Sequence, residues 1–168
     1  YSYQVAGTVG LMMAKILKVT DKQSLRCAVD LGVAMQLTNI SRDVIEDKKR
    51  SRAYIKADFN SITETVFLAD IFYQSSFLAI KNIPIFSRFA ILVARRIYKR
   101  IGHEILFQKN IDTYNSAGKI YVSTSRKVLE TFLSLLDFIK LFFINSREQE
   151  KQNEHIMLHE EINLDERI

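Results

Sequence analysis

The chain has 168 residues, of which 48% are hydrophobic, and 24 Lys and Arg against 19 Asp and Glu give it a net charge of +5. That length suffices for one domain with a sizeable core. One Pro and five Gly leave little turn material for an all-β fold, and the single Cys27 excludes an internal disulfide and any cysteine-based zinc cluster. A basic balance suits nucleic acid, an anionic membrane surface or phosphorylated substrates. With no nucleic-acid motif and no aromatic-spaced basic platform, no nucleic-acid partner is expected. Long periodic stretches predict an all-α protein.

Residues 1–19 have helical periodicity, with Val5, Val9, Met12, Met13, Ile16 and Leu17 as the apolar set. Gly7 and Gly10 each cost about 1 kcal/mol relative to Ala inside a helix. They serve either close packing against another helix or room for a bulky substrate. Thr20-Asp21-Lys22 reads as a short turn and N-cap.

The most informative stretch is Leu31–Tyr54, LGVAMQLTNISRDVIEDKKRSRAY, within a helix predicted from about Gln23 to Lys49. At roughly 100° per residue, Gln36, Asn39, Asp43, Asp47 and Arg50 fall within an arc of about 80°. Val33, Ala34, Met35, Leu37, Val44 and Ile45 cover most of the remainder. This is a polar stripe on an apolar cylinder, the inverse of an ordinary surface helix. It predicts a buried helix whose oxygen-bearing side faces a cavity. Buried carboxylates need a cation, and aligned carboxylate and amide oxygens suit Mg²⁺. The competing reading is a solvated face with an i,i+4 carboxylate pair.

Residues 61–81 predict another amphipathic helix, broken by Pro84, and Ile85–Phe107 a further one. On the latter, Tyr98 reads as a core tyrosine, and Arg95, Arg96, Lys99 and Arg100 as a solvated face. Residues 108–118 (QKNIDTYNSAG) read as a loop. Ser123–Ile144 is the last helix, and its Phe132, Leu133, Leu136, Phe138, Phe142 and Phe143 are expected in the core rather than at an apolar edge against a bilayer. Glu130, Asp137 and Lys140 interrupt it too often for a membrane span. Residues 145–168 are expected to form a loose charged tail. His103, His155 and His159 have no metal-ligand company.

Three segments, in order, resemble the squalene/phytoene synthase family of head-to-head prenyl diphosphate synthases, in particular its bacterial phytoene synthases. Leu31–Tyr54 is similar to the family's second aspartate-rich motif. Tyr1–Gly10, YSYQVAGTVG, is similar to its YxxxVAGxVG segment. Ala94–Tyr98 with Ile101-Gly102, followed by Lys119–Ser123, is similar to its closing region. The resemblance implies an isoprenoid-synthase-type helical bundle around a central cavity. Residues 1–144 would be the C-terminal part of the catalytic domain, and the helices with the first aspartate-rich motif would be absent from this chain. The absence of Met before Tyr1 is read in the same way, as the C-terminal part of a longer protein.

By resemblance Asn39, Asp43 and Asp47 hold Mg²⁺, with Mn²⁺ as an alternative, and Asp43 and Asp47 are catalytic. Gln36, Arg42, Arg52, Tyr98 and Lys119 meet the substrate diphosphate, while Tyr1, Val5, Gly10 and Met35 line the prenyl-chain pocket. Spacing alone leaves Arg42 off the stripe, where a structural salt bridge is as good a reading. There are departures as well. Ser51 and Lys56 replace the Gly and Pro of the family's GRxYLP segment, Lys119 stands for Arg, and the segment from Tyr54 to Pro84 is short. Lys keeps the charge but loses the bidentate fork.

The implied reaction is Mg²⁺-dependent condensation of two geranylgeranyl diphosphates to phytoene through a cyclopropyl diphosphate intermediate. The alternatives are squalene or dehydrosqualene synthesis from farnesyl diphosphate, or a non-catalytic assembly protein. The partner is an isoprenoid diphosphate, and the location is cytoplasmic with peripheral membrane contact for an apolar product; the oligomeric state is left open. One aspartate pair cannot serve this chemistry alone. The 168 residues by themselves are therefore expected to release no product from a C20 diphosphate and Mg²⁺, and detectable phytoene in that assay would contradict this.

Overall fold

Short polar side chains start four of the helices. Asp21, Asp58 and Asn110 accept the backbone N–H groups of Ser24 (2.8 Å), Ser61 (2.8 Å) and Thr113 (2.9 Å), and the Ser123 hydroxyl accepts that of Arg126 (3.4 Å). Each satisfies a donor that a helix start leaves without an intrahelical acceptor. The computed structural model describes residues 1–144 together with Leu158 and Ile162. A π-helical segment, Tyr3–Gly7, runs into α1 (Thr8–Ile16). There follow α2 (Lys22–Arg42), α3 (Val44–Lys49) and α4 (Phe59–Phe77), which ends in a 3₁₀ turn at Leu78–Asn82. After Pro84 come α5 (Ile85–Leu106), α6 (Ile111–Ala117) and α7 (Thr124–Phe143). No strand occurs among the described residues, so the all-α expectation holds.

The bundle is built on α2, which packs against α1, α4 and α5. One core cluster joins Leu11 and Ala14 of α1, Val29 and Val33 of α2, and Phe72 and Tyr73 of α4, and it includes Ile162. A second gathers Val44, Ile62, Val66, Ile105, Tyr114 and Val122, and Tyr98 packs against both. Most of the segment expected as a loose tail lies outside the described residues. Ile162 is buried, with Leu158 packed against the same cluster.

The crossing of the N-terminal segment over α2 is a backbone-to-backbone contact. A Cβ on Gly10 would stand 2.2 Å from the Ala28 carbonyl oxygen, and one on Gly32 2.2 Å from that of Ala6. At these two positions glycine is required by the approach of the helices, which gives Gly10 its packing role.

Several expected elements differ. The helix predicted across Gln23–Lys49 breaks at Asp43, and the predicted loop 108–118 contains α6 under its Asn110 cap. The α4 helix begins at Phe59, earlier than expected, because Asp58 caps it. The cations of α5 are not a solvated face. Arg95 is buried and donates to the Tyr73 carbonyl from Nε (3.0 Å) and Nη2 (2.7 Å). Arg96 bridges Glu130 (2.8 Å) and Asp137 (2.7 Å) of α7. Lys99 pairs with Asp70 at 3.5 Å and Arg100 with Glu104 at 2.8 Å.

That bridge turns α7 the opposite way from a core helix. Its two acidic side chains point inward to Arg96 and many of its apolar residues point out, while Leu141 is buried and Phe138 packs beside it in a third core cluster with Ile80 and Leu92. Ser134 and Leu141 are its buried residues, while Val128, Phe132, Leu135, Ile139, Phe142 and Phe143 are exposed. No helix among the described residues is long and apolar enough to cross a membrane.

Gly32→Ala should lower stability by about 1–3 kcal/mol, the usual cost of overpacking, because its neighbour is backbone. Gly102→Ala should cost much less, since its Cβ meets only a Val66 methyl at 3.1 Å. Urea denaturation of the two variants checks the difference; equal losses would contradict the backbone-contact account.

Candidate functional site

The polar stripe is carried by α2 and α3, and the break between them shapes it. Asp43 has φ −103° and ψ 15°, in the sparsely populated bridge between helix and strand. Backbone bonds still span the junction: the Asp43 N–H reaches the Asn39 carbonyl at 2.9 Å, and the Asp47 N–H reaches the Asp43 carbonyl at 2.8 Å. In an unbroken helix the carbonyls of Ser41 and Arg42 would receive the N–H groups of Ile45 and Glu46. Here both face the Tyr114 hydroxyl, at 2.8 and 2.9 Å. A side chain inserted into the backbone ladder is a recognised cause of a helix kink. Tyr114 is 1% exposed, and burial pushes its hydroxyl up to about 12.

The break sets Asp43 into an ion-pair network. Arg42 grips it with both donors, Nε to Oδ1 at 2.8 Å and Nη2 to Oδ2 at 2.7 Å. Lys119, which follows α6, lies 3.6 Å from Asp43 Oδ1 and 2.8 Å from Glu46 Oε2. Burial disfavours the Asp43 anion, but the bonded guanidinium and the nearby Lys119 outweigh it and hold the carboxyl below the ordinary aspartate range. The Lys119 hydrogen bond lowers Glu46 and raises Lys119 in turn. Arg42 and Lys119 thus meet at one carboxylate, and Glu46 joins them.

Asp47 lies elsewhere. It lines a cavity of about 560 Å³ with Ile40, Val44, Arg52, Tyr54 and Ile55, and among the described residues its carboxylate has no ion-pair partner within 4.0 Å. Tyr1 is at this end too: its hydroxyl donates to that of Tyr54 at 2.9 Å, and the rings stack with centroids 4.4 Å apart. On another side of α2, Val5, Gly10 and Met35 line an apolar cavity of about 370 Å³ with Met13, Leu31 and Ile80. Tyr1 does not line it. Gln36 is half-buried on α2, and Tyr98 is half-buried on α5. The expected site residues thus fall into three neighbouring groups around α2 and α3: the ion-pair network, the Asp47 cavity and the apolar cavity.

The donors suit a hard cation in kind. Asn39 Oδ1 is buried without a hydrogen-bond partner, an acceptor that a cation or a donor would satisfy. Asp47 adds an unpaired carboxylate, and Asp43 a carboxylate now held by Arg42. No cluster of three or more His, Cys, Asp or Glu occurs among the described residues, so these oxygens would serve an ion whose remaining ligands come from water or phosphate. The residue that reading the sequence missed is Tyr114. Its one signal was the Asn110 cap ahead of Ile111, which marks a short helix.

Residues 1–61 match the family described as squalene/phytoene synthase. The chain is 35% identical over 127 residues to the 15-cis-phytoene synthase of Enterobacter agglomerans, covering 63% of this chain and 43% of that protein. It is 37% identical over 123 residues to the 15-cis-phytoene synthase of Paracoccus sp., covering 62% of this chain and 40% of that one. With phytoene synthase 2, chloroplastic, of Solanum lycopersicum, identity is 31% over 156 residues, covering 77% and 49%. The chain therefore spans less than half the length of the curated relatives it matches.

The depressed Asp43 carboxyl implies a pH dependence. Its folded value lies below its unfolded one, so its contribution to stability is present above about pH 4 and is lost as pH falls through the folded value. The stability gap between the protein and Asp43→Asn, read by urea denaturation, should be largest near neutrality and close in acid. A gap unchanged with pH would overturn the pairing.

Proposed function

This chain belongs to the squalene/phytoene synthase family, and we propose that it supplies one part of the active site of a Mg²⁺-dependent prenyltransferase that joins two geranylgeranyl diphosphates into phytoene through a cyclopropyl diphosphate intermediate. The observation that carries this reading is the unpartnered Asn39 oxygen on the same stripe as two aspartates, with Arg42, Arg52 and Lys119 close by. Oxygen donors interleaved with cations suit a substrate that brings its own anionic oxygens.

Mg²⁺, when bound, supplies charge that stabilises a departing diphosphate. Asn39, Asp43 and Asp47 would hold it; Mn²⁺ would be accepted by the same oxygens. Arg42 is the residue with two tasks. Without ligand its fork neutralises Asp43, and with a diphosphate present the same fork is matched to phosphate oxygens. Lys119 and Arg52 add charge at either side of Asp43 and Asp47, and Gln36 and Tyr98 complete the diphosphate end. Val5, Gly10 and Met35 line the apolar cavity, which keeps water from an allylic cation. The Tyr1–Tyr54 stack closes the Asp47 end instead of lining the chain pocket.

An apolar product favours peripheral contact with a membrane, and the outward face of α7 is the surface suited to it. Phe132, Ile139 and Phe142 are exposed there, and Arg126, Lys127 and Lys140 flank them.

In the complete gene product, Asp47→Asn should reduce phytoene formation by about 10²-fold or more, since even groups that only support a metal ligand are worth 10–100-fold. Product analysis with C15 and C20 diphosphates checks the substrate. Squalene or dehydrosqualene from the C15 substrate would overturn the assignment to phytoene, and no product from either would favour an assembly role.

A further inference from the structure

We propose that Tyr114 is a positioning residue for the cation site: its hydroxyl, inserted between the carbonyls of Ser41 and Arg42, fixes the break that sets the direction of Asp47 relative to Asn39 and Asp43. The inference rests on the reading of Asn39, Asp43 and Asp47 as cation ligands.

The geometry is specific. One phenolic hydroxyl lies 2.8 Å from the Ser41 carbonyl oxygen and 2.9 Å from that of Arg42. It therefore meets the two carbonyls that immediately precede Asp43. In a continuous helix those carbonyls would accept the N–H groups of Ile45 and Glu46. In the broken form the two carbonyls share the one hydroxyl proton instead, and a buried carbonyl left unpaired is costly. The hydroxyl therefore stabilises the kink in preference to straight α2–α3.

The direction of α3 matters to the site because Asp47 stands on it, whereas Asn39 stands on α2. Straightening the junction would alter the direction of Asp47 relative to the other two. Tyr114 reaches the junction from α6, a separate helix held at its start by the Asn110 cap. The strand of chain leaving α6 carries Lys119 to Asp43 and Glu46. One short element thereby both bends the ligand-bearing helix and delivers the cation that pairs with it. Its ring fills the second core cluster with Val44, Ile62 and Ile105, so the wedge is anchored in the core rather than on the surface.

The test is Tyr114→Phe in the full chain, with Tyr73→Phe as the comparison. Tyr73 is also 1% exposed, and its hydroxyl meets Thr38 Oγ1 at 3.0 Å, away from the break. Both variants keep the ring and lose one buried hydroxyl. Mn²⁺ affinity, measured by electron paramagnetic resonance with and without inorganic diphosphate, is the first readout. Amide hydrogen exchange across residues 41–47 is the second. Tyr114→Phe should weaken Mn²⁺ binding about tenfold or more and change exchange at Val44–Asp47, while Tyr73→Phe should do neither. Equal Mn²⁺ affinity in the protein and Tyr114→Phe would overturn the positioning role. Should the unaltered chain bind no Mn²⁺ in either condition, the cation-site reading fails and the positioning role falls with it, whereas changed exchange would still mark Tyr114 as a structural wedge.

Discussion

A helix enclosed by neighbours cannot leave its polar side chains to water, and that constraint governs α2. The helix is pressed by α1, α4 and α5, and glycines at positions 10 and 32 let the N-terminal segment come down to backbone contact with it. Each polar group on α2 must then find a partner within the protein or wait for one. Thr38 meets Tyr73 at 3.0 Å, Asp30 receives the Ser75 hydroxyl at 2.6 Å, and Asp43 takes Arg42. The Asn39 oxygen, buried on this stripe, is left waiting among the described residues. A buried acceptor without a donor carries a desolvation cost of about 1–3 kcal/mol, and a ligand that satisfies it recovers that cost on binding.

The same logic places charge elsewhere in the bundle. Arg96 draws Glu130 and Asp137 to the inside of α7, and Phe132, Phe142 and Phe143 are left on its outer side. An Arg with two carboxylates satisfies several donors at once, which a solvated arginine would have no need to do. Arg95, Arg96 and Lys99 of α5, which by periodicity looked like part of a solvent-facing row, thus tie α5 to α4 and α7.

How much was legible follows from the range of the interaction involved. Helix starts at Asp21 and Ser123 depend on a side chain reaching three residues ahead, so their signals lie within a few residues of sequence, though the same signal at Asp58 was passed over. The polar stripe was legible for the same reason, since it is a periodicity within one element. The break at Asp43 was not. Nothing in NISRDVIED forbids a continuous helix; a hydroxyl more than seventy residues away interrupts it. The α6 helix was mistaken for a loop because seven residues are too few for periodicity to show.

The sequence by itself determined the all-α class, the family and the set of oxygen-bearing and basic side chains, because these depend on composition, local spacing and motif order. Tertiary structure decided which of those side chains meet. It gave Asp43 to Arg42 and Lys119, sent Asp47 to a separate cavity, moved Tyr1 onto Tyr54, and turned the apolar side of α7 outward. The Lys119–Asp43 pair, the Tyr1–Tyr54 stack and the Arg96 bridge to α7 join elements distant in the chain, set by which groups could be satisfied once the helices had packed. Local sequence carries no record of that choice.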